Sequence, residues 1–147
     1  MALQSSNTML ASEVFIAIRN NAGGWKAQAQ NANASLAAGS VTSEFVFRIL
    51  DSLKGLVDTL TLWKAAAGLD SYATTAGYVG TMSTDCTATI TAAQTCISWV
   101  VTNFPNANGF LQAETLNADG SRTPRLFTPA QTAGLQTAMT SLIVTIS

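Results

Sequence analysis

Few residues in this chain could do chemistry. Two cysteines, eight carboxylates and seven basic side chains are spread over 147 residues, and there is no histidine. Without histidine the commonest general base is gone, and with it the Ser-His-Asp and Cys-His arrangements and histidine metal sites. Cys86 and Cys96 fall in one helical stretch, about 15 Å apart along its axis, so they can neither bond to each other nor form a zinc site. They read as small, partly buried thiols of a reducing compartment, with an intermolecular pair as the alternative. Asp51 and Asp58 stand two helical turns apart, about 10 Å, too far to share a proton. Glu44 and Arg48 form an i,i+4 helix pair worth about 0.2–0.5 kcal/mol, not an acid/base device. Gly23-Gly24 before Trp25 cradles no phosphate, and neither a Walker sequence nor GxGxxG occurs. The reading is of a protein that is not an enzyme, with no cofactor and no metal.

What remains is recognition, and it is concentrated in one stretch, GFLQAETLNADGSRTPRLFTPAQ (109–131). The last four charges of the chain, Glu114, Asp119, Arg122 and Arg125, all lie here. No charge occurs from Cys86 to Ala113 or from Leu126 to Ser147. Asp119-Gly120 between two alternating segments predicts a β-hairpin with a longer-than-minimal loop, or an extended arm with little pairing. A lone two-stranded hairpin is marginal in water, so the arm must lie on its own bundle or on a neighbouring subunit. Glu114, Asp119, Arg122, Arg125 and Phe127 are the candidate partner-binding residues. The two arginines serve either the solubility of an exposed hairpin or salt-bridge docking onto an adjacent subunit. Two arginines make a poor nucleic-acid footprint.

The elements that must position this arm are helices. Leu10, Val14 and Ile18, then Ala22, Trp25 and Ala29, recur at helical spacing. That predicts a first helix starting near Ser5 to Asn7 and ending at Gly39. Gly23-Gly24 costs it roughly 2 kcal/mol against Ala-Ala and marks either a break or a close-packing point. Thr42 or Ser43 caps a second helix, whose stripe of Phe45, Ile49, Leu53, Leu56, Leu60 and Trp63 forms the centre of the core. Asp51, Lys54, Asp58 and Lys64 lie on its wet face. Leu69, Tyr72 and Tyr78 belong to a short helix and a packed loop. Ser83, Thr84 or Asp85 caps the next helix, which carries Ile90, Ala93, Ile97, Val100 and Phe104 on one side and stops at Pro105. Thr128, Pro129 and Gln131 open the last helix as N-cap, first turn and capping-box partner. Leu135, Met139, Leu142 and Ile146 form its apolar side. Its other faces bear no charge, which suits a central helix or one packed against another chain. The three tryptophans, one per long helix, are core-edge anchors or interface anchors. The fold class is mainly α. It is a bundle of about four to five helices in one domain (1–147), with a protruding β-hairpin or extended arm (about residues 109–127) inserted before the C-terminal helix.

Composition points the same way. Charged residues make up 10% of the chain, against roughly 25% in an average soluble domain. The net charge of −1 offers no basic field to nucleic acid. The start, MALQSSNTML, lacks a basic region and a continuous apolar run, so no signal peptide is expected. CTATITAAQTCISWVVTNF is too polar to face lipid. The surface is either a neutral polar one, rich in Ala and Thr, or one that meets other subunits, since interface cores are depleted in charge.

The tail end, NFPNANGFLQAETLNADGSRTPRLFTPAQTAGLQTAMTSLIVTI, with the Ala-rich first helix running into GSVTSEFVFRILDSL, resembles the small helical virion proteins of tailed bacteriophages. Head-to-tail adaptors among them share this plan of a helical bundle with an extended arm, repeated as a ring of about a dozen copies under the portal. The resemblance implies a structural protein of the particle, a ring-forming connector (adaptor or neck) subunit joining portal to tail. Its partners would be its own copies and the portal and tail proteins, with no membrane and no specific nucleic-acid contact. It would be found in the virion after assembly in the host cytoplasm. The other readings are a capsid decoration or tail structural protein, and a small soluble binding module unrelated to virions.

Overall fold

The uncharged C-terminal helix lies at the middle of the packing. The computed structural model describes residues 10–37, 41–103, 114–124, 126–127 and 129–146. Its helices are α1 (Ala11–Ala37), α2 (Ser43–Trp63), the short α3 (Leu69–Thr75), α4 (Met82–Asn103) and α5 (Pro129–Thr145). α5 packs on both α1 and α4, α4 packs in turn on α2, and α3 sits against α1 and α4. Leu135, Met139 and Leu142 of α5, with Ile146 just beyond its end, are all buried. α1 and α2, consecutive in the chain, barely touch. The result is a mainly helical bundle whose helices follow one another around a gap in the order α1, α5, α4, α2.

α1 runs unbroken through Gly23-Gly24. Neither glycine has a neighbour within 4 Å of where a Cβ would stand, so the pair is neither a break nor a close-packing point. Buried Val14, Phe15 and Ile18 before it, and Ala29 and Leu36 after it, hold the helix on the bundle, and this tertiary packing outweighs the local propensity cost. The expected helix start at Ser5 to Asn7 and the end at Gly39 lie outside the described residues. α2 is capped by Thr42, whose hydroxyl accepts the Phe45 N–H at 3.1 Å. All six residues of its predicted stripe are buried or half-buried.

α4 is capped differently from the expectation. Ser83, Thr84 and Asp85 all lie inside the helix. The acceptor at its N-terminus is Asp70 of α3, which takes the Ser83 N–H at 2.7 Å and the Ser83 hydroxyl at 2.5 Å. A carboxylate there also meets the positive end of the helix dipole. Ile90, Ala93 and Val100 of the predicted face are buried; Phe104 and Pro105 lie outside the described residues.

Among the described residues four short strands accompany the helices: β1 (Val41–Thr42), β2 (Glu114–Leu116), β3 (Arg122–Pro124) and β4 (Leu126–Phe127). β2 and β3 pair antiparallel as the predicted hairpin, with Leu116 opposite Arg122. β4 pairs antiparallel with β1, Val41 opposite Phe127. The outgoing limb of the arm is thereby tied to the start of α2.

The tightest helix contact is between α4 and α5. They run antiparallel: the Trp99 indole meets Gly134, and the Thr89 hydroxyl reaches the Thr145 carbonyl at the other end. A Cβ on Gly134 would stand 2.2 Å from the Trp99 ring, closer than atoms can approach. Gly134→Ala is therefore expected to cost about 1–3 kcal/mol, seen as a lower urea midpoint at unchanged m-value. Combined with Trp99→Leu, the glycine substitution should cost much less, because the two positions share one contact. Strict additivity of the two losses would contradict this account.

Candidate functional site

The arm ends in a defined turn. The Gly120 N–H bonds to the Asn117 carbonyl at 3.0 Å, and the Asn117 N–H to the Ser121 carbonyl at 2.8 Å. Gly120 has φ +87°. This is the pattern of a type I turn followed by a G1 bulge, in which the left-handed position favours glycine. Side chains brace it. Asn117 Nδ2 donates to the hydroxyls of Ser121 (3.0 Å) and Thr123 (2.7 Å). Asp119 Oδ1 accepts the Ser121 hydroxyl (2.6 Å) and amide (2.9 Å). Those bonds from Ser121 hold the Asp119 carboxyl below its usual value. Residues 118–121 are exposed, so the tip is a preorganised polar surface.

Of the five candidate partner-binding residues, Asp119 is described in full, and its carboxylate is engaged in shaping the turn. The backbones of Glu114, Arg122 and Phe127 lie in β2, β3 and β4 respectively, and their side chains lie outside what the structure describes, as does Arg125 altogether. Glu114 and Arg122 are brought onto one hairpin, and Phe127 onto the β1–β4 ladder.

A second feature went unread in the sequence. Between α1 and α2 the bundle leaves a groove of about 520 Å³. Ala29 and Ala32 of α1 face Ile49, Leu53 and Leu56 of α2 across it, with Met139 and Ile146 below. Trp25 and Phe45 also line it, and Trp25 lies 6.1 Å from Trp63, ring centre to ring centre. Along its edges stand Gln28, Asn31 and Ser35 on α1 and Arg48, Ser52 and Thr59 on α2. The signal was the alanine face of α1 opposite the large face of α2, a mismatch in side-chain volume that one-dimensional periodicity does not register.

The remaining reactive groups serve the fold. Phe15 packs edge-on against Tyr72 and Tyr78, and the Arg19 guanidinium stands over its ring at 5.5 Å. Tyr78 donates its hydroxyl to Asp85. Burial and that bond push the Tyr78 hydroxyl up to about 12. Cys86 and Cys96 are both buried, and burial pushes each thiol up to about 11, with Asp85 and Asp70 adding to the effect at Cys86. Such thiols are poor nucleophiles at neutral pH. Among the described residues no metal-binding cluster gathers, and no helix is long and apolar enough to cross a membrane.

Compared with known proteins, the chain matches no family model, no curated sequence and no solved structure.

Two predictions follow from these groups. Because its carboxyl is held down in the folded turn, Asp119 braces the turn above its ordinary titration range, and the bracing is lost as pH falls through the depressed value. NMR titration should place Asp119 below 3.8, and Ser121→Ala should move it up towards that value; no movement would remove Ser121 as the cause. For the cysteines, native protein at pH 8 should react slowly with a disulfide reagent. Both thiols should react at once in denaturant.

Proposed function

We propose that this chain is a structural subunit of a tailed-phage particle, a ring-forming head-to-tail connector that joins portal to tail. The observation that carries the reading is the character of the outer faces of α4 and α5. Beyond Asp85 neither helix bears a charge. Four exposed hydroxyls on these helices are bonded to their own helix carbonyls one turn back: Thr87 to Ser83, Thr95 to Thr91, Thr137 to Ala133, and Thr140 to Gln136, at 2.9–3.1 Å. Val101 and Val144 stand 55% and 69% exposed among them. Hydroxyls satisfied in this way shed water at small cost, which suits close subunit packing. The preorganised tip of the arm adds directional polar contacts, and a head-to-tail contact repeated by rotation closes a ring. The resemblance to phage connectors supplies the particle; the faces and the arm supply the means of assembly.

Light scattering over a range of concentrations, alone and then with isolated portal rings, tests this. The expected result is a fixed small-number ring on the portal. Deleting Asn117 to Ser121 and rejoining the ends should weaken ring formation at least tenfold in concentration while leaving the helical circular dichroism intact. A subunit that ignores portal but coats capsids in hundreds of copies would replace the connector role with decoration. A clean monomer that binds neither would overturn the particle reading.

A further inference from the structure

We infer that copies of this chain join by opposite faces: the exposed row of α5, Thr137, Ser141 and Val144, of one copy lies along the rims of the α1–α2 groove of the next. The inference rests on the assembly reading above and names the second surface that a head-to-tail contact needs. The two surfaces point away from each other. Met139 of α5 lines the groove. At about 100° per residue, Thr137, Ser141 and Val144 stand about 140–160° around the helix from it, and all three are exposed. The packing order agrees. With the helices running α1, α5, α4, α2 around the gap, the α5–α4 side is opposite the open α2–α1 side. A contact between opposite faces leaves one face of each kind free, so it extends from copy to copy until rotation closes it. Pairing of two α4–α5 faces would stop at two copies.

Hydrogen-bonding character selects the partner. The Thr137 hydroxyl donates to the Ala133 carbonyl at 3.1 Å, and the Ser141 hydroxyl to the Thr137 carbonyl at 3.4 Å. Beside them on α4, Thr95 donates to the Thr91 carbonyl. With their protons directed inward, these hydroxyls offer only acceptor lone pairs to the outside. The rims of the groove hold the converse. Gln28 and Asn31 of α1, both exposed, each carry a carboxamide with two N–H donors, and Ser52 of α2 adds a hydroxyl. A second α4–α5 face would set acceptor against acceptor. The α5 row has no charge, and Arg48, the one charged residue described along the groove, is engaged within its own chain. The neighbour stays on the rims, because Ile49 and Leu53 below them are already buried.

Area sets the strength. α5 and α4 side by side, about 25 and 33 Å long and about 10 Å wide each, present about 600 Å² per copy. Counted on both copies this is about 1,200 Å², the low end of specific interfaces. A single pair is therefore weak, and a ring, in which every copy is held on both sides, is much firmer.

Sedimentation of the full chain at concentrations up to about 1 mM, where even a weak pair is populated, tests the pairing. Thr137→Glu spoils the row and Asn31→Glu spoils the rim; both positions are exposed, and helical content should be unchanged. Each variant alone should associate at least about tenfold more weakly than the unaltered chain. Mixed in equal amounts they should form a one-to-one dimer and nothing larger, because the mixture keeps one sound row and one sound rim. Gln28→Glu replaces Asn31→Glu if the latter loses helix. Lys54→Glu, on the wet face of α2, should associate like the unaltered chain. A mixture no more associated than its parts overturns the inference. So does association that Thr137→Glu weakens and the rim variants do not, a result that leaves the assembly reading standing with α4–α5 faces paired to each other. An unaltered chain that stays monomeric throughout overturns it as well, and the portal experiment above then decides the assembly reading by itself.

Discussion

The close approach of α4 and α5 at Gly134 governs where the other helices stand. With the Trp99 ring seated where a Cβ would otherwise be, α5 is drawn onto α4, and its opposite side is left for α1. Asn33 of α1 donates to the Thr140 hydroxyl at 3.2 Å, and that hydroxyl donates on to the Gln136 carbonyl. α5 is thus enclosed on two sides, and a charge on its inner face would be buried without a partner, at a cost of several kcal/mol. α5 lies between α1 and α4, and α2 packs mainly on α4, so α1 and α2 touch little beyond the Trp25–Trp63 pair. The groove lies where these two helices stand apart.

The same economy explains how a chain with 10% charged residues keeps a helical surface. Threonine and serine ordinarily weaken helix interiors by competing for the backbone. Here their hydroxyls bond to carbonyls of the preceding turn, as Thr87, Thr95, Thr137 and Thr140 do. The backbone ladder is kept and the hydroxyl's demand for water is met internally. At these four positions the threonine methyl is left to face outward. Packing of the inner stripes, rather than helix propensity, holds these segments.

Most of what was legible in the sequence is local. The α2 stripe, the Thr42 cap, Pro129 at the start of α5 and the hairpin at Asp119-Gly120 all depend on residues within one or two turns of each other, and each stands as its local chemistry demands. What escaped depends on residues distant in the chain. Asp70 caps a helix thirteen positions away, while three nearer residues of the right type lie inside that helix. Gly134 was not singled out in the sequence, because its role depends on Trp99, thirty-five positions away, being brought against it. Gly23-Gly24 reads as a special position and is open on all sides. The groove is a place where two consecutive helices fail to meet, and no periodicity encodes a missing contact. The candidate partner-binding residues of the arm stand out in sequence by their isolation in a charge-free background. The apolar walls of the groove look the same in sequence as any other core.

The arm and the groove are joined through the start of α2. β4 pairs with β1, β1 runs directly into the Thr42 cap, and the N–H that Thr42 accepts belongs to Phe45, which lines the groove. A two-residue ladder is a weak anchor by itself. It is steadied because Val41 is buried and because the helix it precedes is fixed by its stripe. The arm therefore meets the bundle at two places, through the β1–β4 ladder at the first turn of α2 and through the chain itself where α5 begins at Pro129.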